Sequence, residues 1–288
     1  MNKFSRNVIP LNLSETEHLP NGGRIEYEFF PTDLDVTAPL LHYLCQERWK
    51  DIGIGHMVDG SVLELEFNAA PKIFKLYDGY LTIITEGWHL HLCLAPNLGG
   101  PDRKTSPEQS QARLVTRAAL YRRLNPAGEP RSWGIQFWNG VGVKMMTFFL
   151  PNPFIGENDD LLSERKPNLE KLKLYEELRN TYVLGIQEIP YDRNPLNKRY
   201  ISVCRSSRCL PSRDYQPIYD ALQAAVTEAG IEDLEVCVSG CLEVCKMGPV
   251  VFYSDDATWY TRVTPEIAKQ IVDDHVVGGV AIAKHIYP

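Results

Sequence analysis

Nowhere do the 288 residues reach a run of about 18 apolar residues, the length a helix needs to cross a bilayer. The first segment, "MNKFSRNVIPLNLSETEHLP", has no continuous apolar stretch, so no signal peptide is expected. A cytoplasmic location follows as the expectation, and disulfides are rare in that compartment. Positive charge is not in excess. The net charge of −7 argues against nucleic-acid binding by electrostatics. There is no Gly-rich phosphate cradle, because "NGVGV" (Asn139–Val143) is not followed by a helix and reads as a hairpin turn. No Ser-His-Asp order, paired-carboxylate motif, internal repeat or low-complexity tract is visible. Cys-x2-Cys, the usual spacing of zinc sites and dithiol redox pairs, is also missing.

What is present is an ordinary globular composition, 44% hydrophobic and 23% charged, with material for a sizeable core. Seven cysteines stand out, four of them grouped near the C-terminus. Cys204 and Cys209 form a Cys-x4-Cys pair in "VCRSSRC", and Cys241 and Cys245 a Cys-x3-Cys pair in "SGCLEVCKMGP". Thiolates are the ligands an iron–sulfur cluster requires, and four on two loops would hold one [2Fe–2S] cluster. Each pair follows a strand-like run, "RYISV" and "DLEVCVS", and strands deliver loops rigidly. Ser206, Ser207, Ser239, Gly240 and Gly248 would let backbone amides approach the sulfurs, while Arg205, Arg208 and Lys246 would offset the cluster's charge. Zinc, a dithiol pair or inert buried cysteines are the competing readings. Cys237 could pair with Cys241, but it alternates with Val236 and Val238 in a strand, where packing is its expected role.

Residues from about 198 to 288 resemble the thioredoxin-like [2Fe–2S] ferredoxin family. That family includes the small iron–sulfur subunit of respiratory complex I and related hydrogenase subunits. The match lies in Cys204-x4-Cys209, a gap of 31 residues, Cys241-x3-Cys245 and Gly248-Pro249. It continues through "VVFYSDDATWYTRVTPEIAKQIVDDHVVGG". The resemblance covers about a third of the chain. It implies a thioredoxin-like α/β sheet, all four cysteines as ligands of the iron, an electron-transport role with a redox partner protein, and possible homodimers.

The rest divides into an arm (1–22), an α+β domain (23–150) and a linker with a bridging helix, "NLEKLKLYEELRN" (151–197). Strands are predicted at "RIEYEFF", "SVLELEF", "KIFKLY" and "YLTIIT", with a tight turn at Asp78-Gly79. Helices are predicted at "VTAPLLHYLCQERW" and from Ser106 to about Leu124, the second with Ser106, Pro107 and Gln109 as start signals. "SWGIQFW" and "VGVKMMTFFL" predict a hairpin around Asn139-Gly140. In "WHLHLCL", alternation puts His89, His91 and Cys93 on one face and Trp88, Leu90, Leu92 and Leu94 on the other. His89 and His91 are a candidate second metal or substrate site, with His42, His56, Glu64 or Glu66 as a third ligand. Two hydrogen-bonded histidines on a plain sheet face are the competing reading. On the helix expected over 106–124, Arg113 and Arg117 share a side that could dock an acidic partner or phosphate. "HLHLCL", "LYRRLNPAG" and "LPNPF" resemble uncharacterised bacterial domains and carry no chemistry with them.

Two functions follow as expectations. One is a two-domain, one-electron carrier whose N-terminal domain docks a redox partner. The other is an enzyme or cofactor-binding protein on the His89/His91 face, fed by the cluster. A subunit of a larger oxidoreductase is a weaker third.

Overall fold

The structure is a computed structural model. It describes the chain except residues 1–5, 59, 101–102, 157–159, 163–165, 193, 197–198, 206–213, 241, 243 and 288. The strands are β1 (Ser14–His18), β2 (Arg24–Phe30), β3 (Gly53–Val58), β4 (Ser61–Glu66), β5 (Ile73–Tyr77), β6 (Tyr80–Ile84), β7 (His89–Cys93), β8 (Gly99–Gly100), β9 (Arg103–Lys104), β10 (Val115–Leu124), β11 (Pro130–Asn139), β12 (Lys144–Phe149), β13 (Arg199–Cys204), β14 (Leu234–Ser239), β15 (Val251–Tyr253) and β16 (Thr258–Tyr260). The α-helices are α1 (Leu34–His42), α2 (Pro107–Arg113), α3 (Lys173–Leu178), α4 (Gln216–Glu228) and α5 (Pro265–Gln270). The chain is thus a mixed α/β protein. It splits into two compact units, one formed by residues 1–97 with 107–196, the other by 98–106 with 197–288.

The first unit is built on a seven-stranded antiparallel sheet of order β1-β2-β10-β11-β12-β3-β4. One face carries Phe30, Leu120, Ile135, Phe137 and Phe148 into the main core. α1, α3 and the small sheet β5-β6-β7 also supply buried residues to this core, among them Leu40, Leu178 and Leu81. The other face gathers Ile25, Tyr27 and Phe29, the alternating side of β2, with Tyr121 and Trp138. Charged side chains roof it: the Arg117 guanidinium lies 4.5 Å from the Phe29 ring and pairs with Glu15 at 2.7 Å, and Lys144 pairs with Glu17 at 2.8 Å. The Asp78-Gly79 turn closes the β5–β6 hairpin as expected, Asp78 at φ 42° and Gly79 at φ 78°. Positive φ at both central residues is the turn that matches strand twist.

Three expectations change here. The helix expected from Ser106 to Leu124 is α2 for one short stretch, and from Val115 the chain is a long central strand, β10. Arg117 therefore lies on a strand, and with Arg113 forms no helical docking face. The arm contributes β1, an edge strand paired with β2 from Ser14↔Glu28 to His18↔Arg24. The bridging helix is core material: Leu174, Tyr175, Leu178 and Tyr182 are buried with Phe30 and Leu40, because α3 runs into a π-helical turn (Arg179–Val183) that keeps one apolar stripe inward.

The second unit is a four-stranded mixed sheet, β14-β13-β15-β16. β13 and β14 are parallel, joined through α4, while β15 and β16 are antiparallel. Ile201, Val203, Val236, Val251 and Tyr253 pack on Ile218, Leu222 and Val226 of α4 and on Ala268 of α5. Gly230, at φ 65°, follows the end of α4. Thr264 caps α5, its hydroxyl accepting from Ile267 N, with Pro265 in the first position. Among the described residues, no helix is long and apolar enough to cross a membrane.

Candidate functional site

The cysteine site begins with strand register. β13 and β14 run parallel with Cys204 opposite Ser239, each the last residue of its strand. Adjacent strands lie about 4.8 Å apart. The chain beyond Cys204 and the chain beyond Ser239 therefore start at the same end of the sheet, one strand apart. Backbone bonds tie this end together: Cys204 N donates to Val250 O at 3.0 Å, and Arg205 N to Ser239 O at 3.3 Å. Cys245 opens a single 3-10 turn, Cys245–Met247. Cys209 and Cys241 lie outside the described residues, as do Ser206, Ser207 and Arg208.

Around Cys204 the surroundings are apolar. It is buried with Val244 and Val250, and Leu242, Met247, Trp259 and Tyr287 pack against them. Tyr287 comes from the C-terminal segment, which lies along β16. Tyr287 N donates to Trp259 O at 2.8 Å, Thr261 N to His285 O at 2.8 Å, and Ile282 N to the Tyr260 hydroxyl at 3.3 Å. Arg205 and Lys246 are exposed at the same end of the unit. A thiol at a strand terminus, the start of a second cysteine-bearing stretch one strand away, an apolar collar and nearby cations have the chemistry that an all-thiolate cluster needs. Cys237 is half-buried in β14 opposite Ser202, one residue out of phase with the buried Val236.

The histidine pair is where alternation put it, on β7, with ring centroids 5.4 Å apart. Both side chains are exposed, and the His91 Nδ1 lies 2.9 Å from the Thr82 hydroxyl across the register pair Thr82↔His91. The proposed third ligands are elsewhere. His42 bonds Tyr191 through Nδ1 at 2.7 Å, while His56, Glu64 and Glu66 belong to β3 and β4 of the large sheet. Among the described residues, no group of three His, Cys, Asp or Glu side chains could hold a metal ion. Cys93 shares the histidine face but is buried under the following turn. Its thiol donates to Ala95 O at 3.4 Å and accepts from Asn97 at 3.8 Å, and desolvation pushes its pKa up. The buried Cys45 thiol is pushed up too, by desolvation alone. Neither is a reactive thiolate at neutral pH.

The sequence reading missed a cleft in the first unit, of about 860 Å³, lined among others by Trp49, Phe67, Trp133 and Phe149. Its walls come from separate stretches of chain, so no local motif announces it.

A 2Fe–2S ferredoxin of Clostridium pasteurianum is 29% identical over 96 residues, covering 30% of this chain and 93% of the ferredoxin. The crystal structure of a thioredoxin-like [2Fe–2S] ferredoxin from Aquifex aeolicus aligns over 32% of this chain and 97% of its own, at 24% identity and a TM-score of 0.28. A crystal structure of ChuX aligns over 56% of this chain and 79% of its own, at 20% identity and a TM-score of 0.33. Similarity to 2Fe–2S ferredoxins is thus confined to about 30% of the chain. A family model matches residues 14–184, more than half of the sequence, and the chain belongs to that family, described as "Family of unknown function (DUF7676)".

Proposed function

We propose that this protein is a one-electron carrier holding a single [2Fe–2S] cluster on Cys204, Cys209, Cys241 and Cys245, in a thioredoxin-like ferredoxin domain spanning 198–288. The observation that carries the reading is the register pair Cys204↔Ser239, which starts both cysteine loops at one end of parallel strands. The similarity to 2Fe–2S ferredoxins over 30% of the chain supports it. When bound, such a cluster supplies reversible one-electron chemistry at a potential set by its surroundings. The chain's own residues then have distinct tasks. Val244, Val250, Trp259 and Tyr287 keep water from Cys204, and exclusion of water disfavours added negative charge. Arg205 and Lys246 act in the opposite sense by placing positive charge nearby. In this reading the N-terminal domain docks the redox partner protein.

The test is iron, sulfide, zinc and visible spectrum on anaerobically purified protein, before and after dithionite. The expected result is about two irons and two sulfides per chain with bleaching on reduction. Cys204→Ser and Cys245→Ser should each abolish that spectrum. Zinc without sulfide, or an intact spectrum in both variants, would overturn the assignment.

A further inference from the structure

The motifs that carry the ferredoxin resemblance end at Gly278-Gly279. Beyond them the chain returns to β16, and residues 282–287 lie along that strand as a strap. Tyr260 and Ile286 form an antiparallel bridge. Thr261 N donates to His285 O and Tyr287 N to Trp259 O, both at 2.8 Å. Register decides which way the side chains of the strap face. Residues directly opposite each other on antiparallel strands share a face, and successive residues alternate. Ile286 therefore falls on the side of Tyr260, the helix-packed core of the second unit. Tyr287 falls on the side of Trp259, Phe252 and Ser202, which is also the side of Cys204.

Packing agrees with register. Tyr287 and Trp259 lie against the buried group formed by Cys204, Val244 and Val250, while Ile282 and Ile286 lie against the core. A further contact holds the start of the strap. His275 is 7% exposed, and both of its ring nitrogens are engaged, Nε2 with Asp256 at 2.9 Å and Nδ1 with the Tyr260 hydroxyl at 2.8 Å. The same hydroxyl accepts from Ile282 N at 3.3 Å. Asp256, His275 and Tyr260 thus anchor one end of the strap on the core side, and Tyr287 packs its other end on the cysteine side. None of these three anchor residues packs on Cys204.

Reduction adds negative charge to a site that four thiolates already make anionic, and water stabilises the added charge. A ring that keeps water away therefore lowers the potential. We propose that the 282–287 strap sets the reduction potential of the cysteine site. The Tyr287 ring shields the site from water, and the Asp256–His275–Tyr260 chain holds the strap that carries it. This role rests on the electron-carrier reading, and it places control of the potential in residues that hold no iron.

Dye-mediated redox titration of the full chain tests it, with iron and sulfide counted on the same samples. Tyr287→Ala is expected to raise the potential, so that the ratio of reduced to oxidised protein at a fixed solution potential grows by about threefold or more. Tyr287→Phe keeps the ring and should titrate with the unaltered protein. Tyr260→Phe removes the hydroxyl that holds Ile282 and leaves the residues packed on Cys204 in place. It should shift the potential less, in the same direction, whereas a merely structural hydroxyl would lower the unfolding midpoint and leave the potential unmoved. Tyr287→Leu, with the same upward shift expected, keeps the test readable should Tyr287→Ala fail to hold its cluster. Full iron and sulfide with an unchanged potential in Tyr287→Ala or Tyr287→Leu overturns the role of the strap and leaves the electron-carrier reading standing. Equal shifts in Tyr287→Phe and Tyr287→Ala overturn it too, because shielding belongs to the ring and not to the hydroxyl. Protein purified without iron and sulfide overturns the electron-carrier reading itself, and the role of the strap with it.

Discussion

A methyl group at residue 134 would have no room. A Cβ built there falls 2.4 Å from the Phe148 carbonyl and 2.5 Å from the Tyr121 ring, and both residues are fully buried. Gly134 thus lets Tyr121 lie flat across β11, in the aromatic layer roofed by Arg117 and Lys144. Gly134→Ala is expected to destabilise the first unit by about 1–3 kcal/mol, the usual range for overpacking. The measurement is the urea midpoint followed by tryptophan fluorescence, and an unchanged midpoint would show that the layer yields. Single residues were the most legible scale in the sequence where their chemistry is distinctive. Cys204 was placed correctly at a strand end, because thiol spacing and strand pattern agree. Cys93 was the reverse case: its face on β7 was correct, but its burial depends on the turn through Ala95 and Asn97, which alternation cannot report.

At the scale of elements, propensity and packing disagreed once, and packing won. "LVTRAALYRRL" is rich in Leu, Ala and Arg, and capping signals at Ser106 and Pro107 start a real helix. Yet β10 pairs with β2 on one side and β11 on the other, and both of its faces are largely buried. A central strand with two partners overrides helical preference. The helix near 173 was legible as a helix but not as core, since its charges masked the stripe of Leu174, Leu178 and Tyr182. A bidentate ion pair fixes that element to the sheet: Arg179 Nε and Nη2 each donate to Glu28 at 2.7 Å. The hydrogen bond from Arg179 holds the Glu28 carboxyl below the usual carboxylate range, against the opposing effect of desolvation. A carboxyl whose folded pKa lies below its unfolded value stabilises fully above the unfolded pKa, near 4.3, and loses that contribution as pH falls through the folded value. Glu28→Gln is expected to cost about 1 kcal/mol at pH 7, given the partial exposure of both groups. The deficit should shrink below about pH 4. Urea titrations of both proteins from pH 7 to pH 3 check the sign, and a constant deficit would mean the pair is not what holds α3.

At the scale of the whole molecule, two compact units each own a core, and the family match ends within the first of them. The four cysteines stand out in the sequence because they sit in short contiguous motifs. The first unit was legible only as a class of fold. Its cleft draws on β4, β11, β12 and α3, whose neighbourhood exists only after the seven strands have paired. Separate cores lead to separate responses. Leu178 is 1% exposed among residues of the first unit. Leu178→Ala removes buried methyl groups and leaves a cavity, a change worth about 2–5 kcal/mol. On heating, the tryptophan fluorescence of the first unit should then report an earlier transition. The visible absorbance expected of a cluster on Cys204 should keep its midpoint, because Ile201, Val203, Leu222 and Val251 form a core that Leu178 does not enter. Equal shifts in both signals would mean that the two cores unfold as one cooperative body. A shift confined to fluorescence would establish that the second unit holds its fold without help from the first.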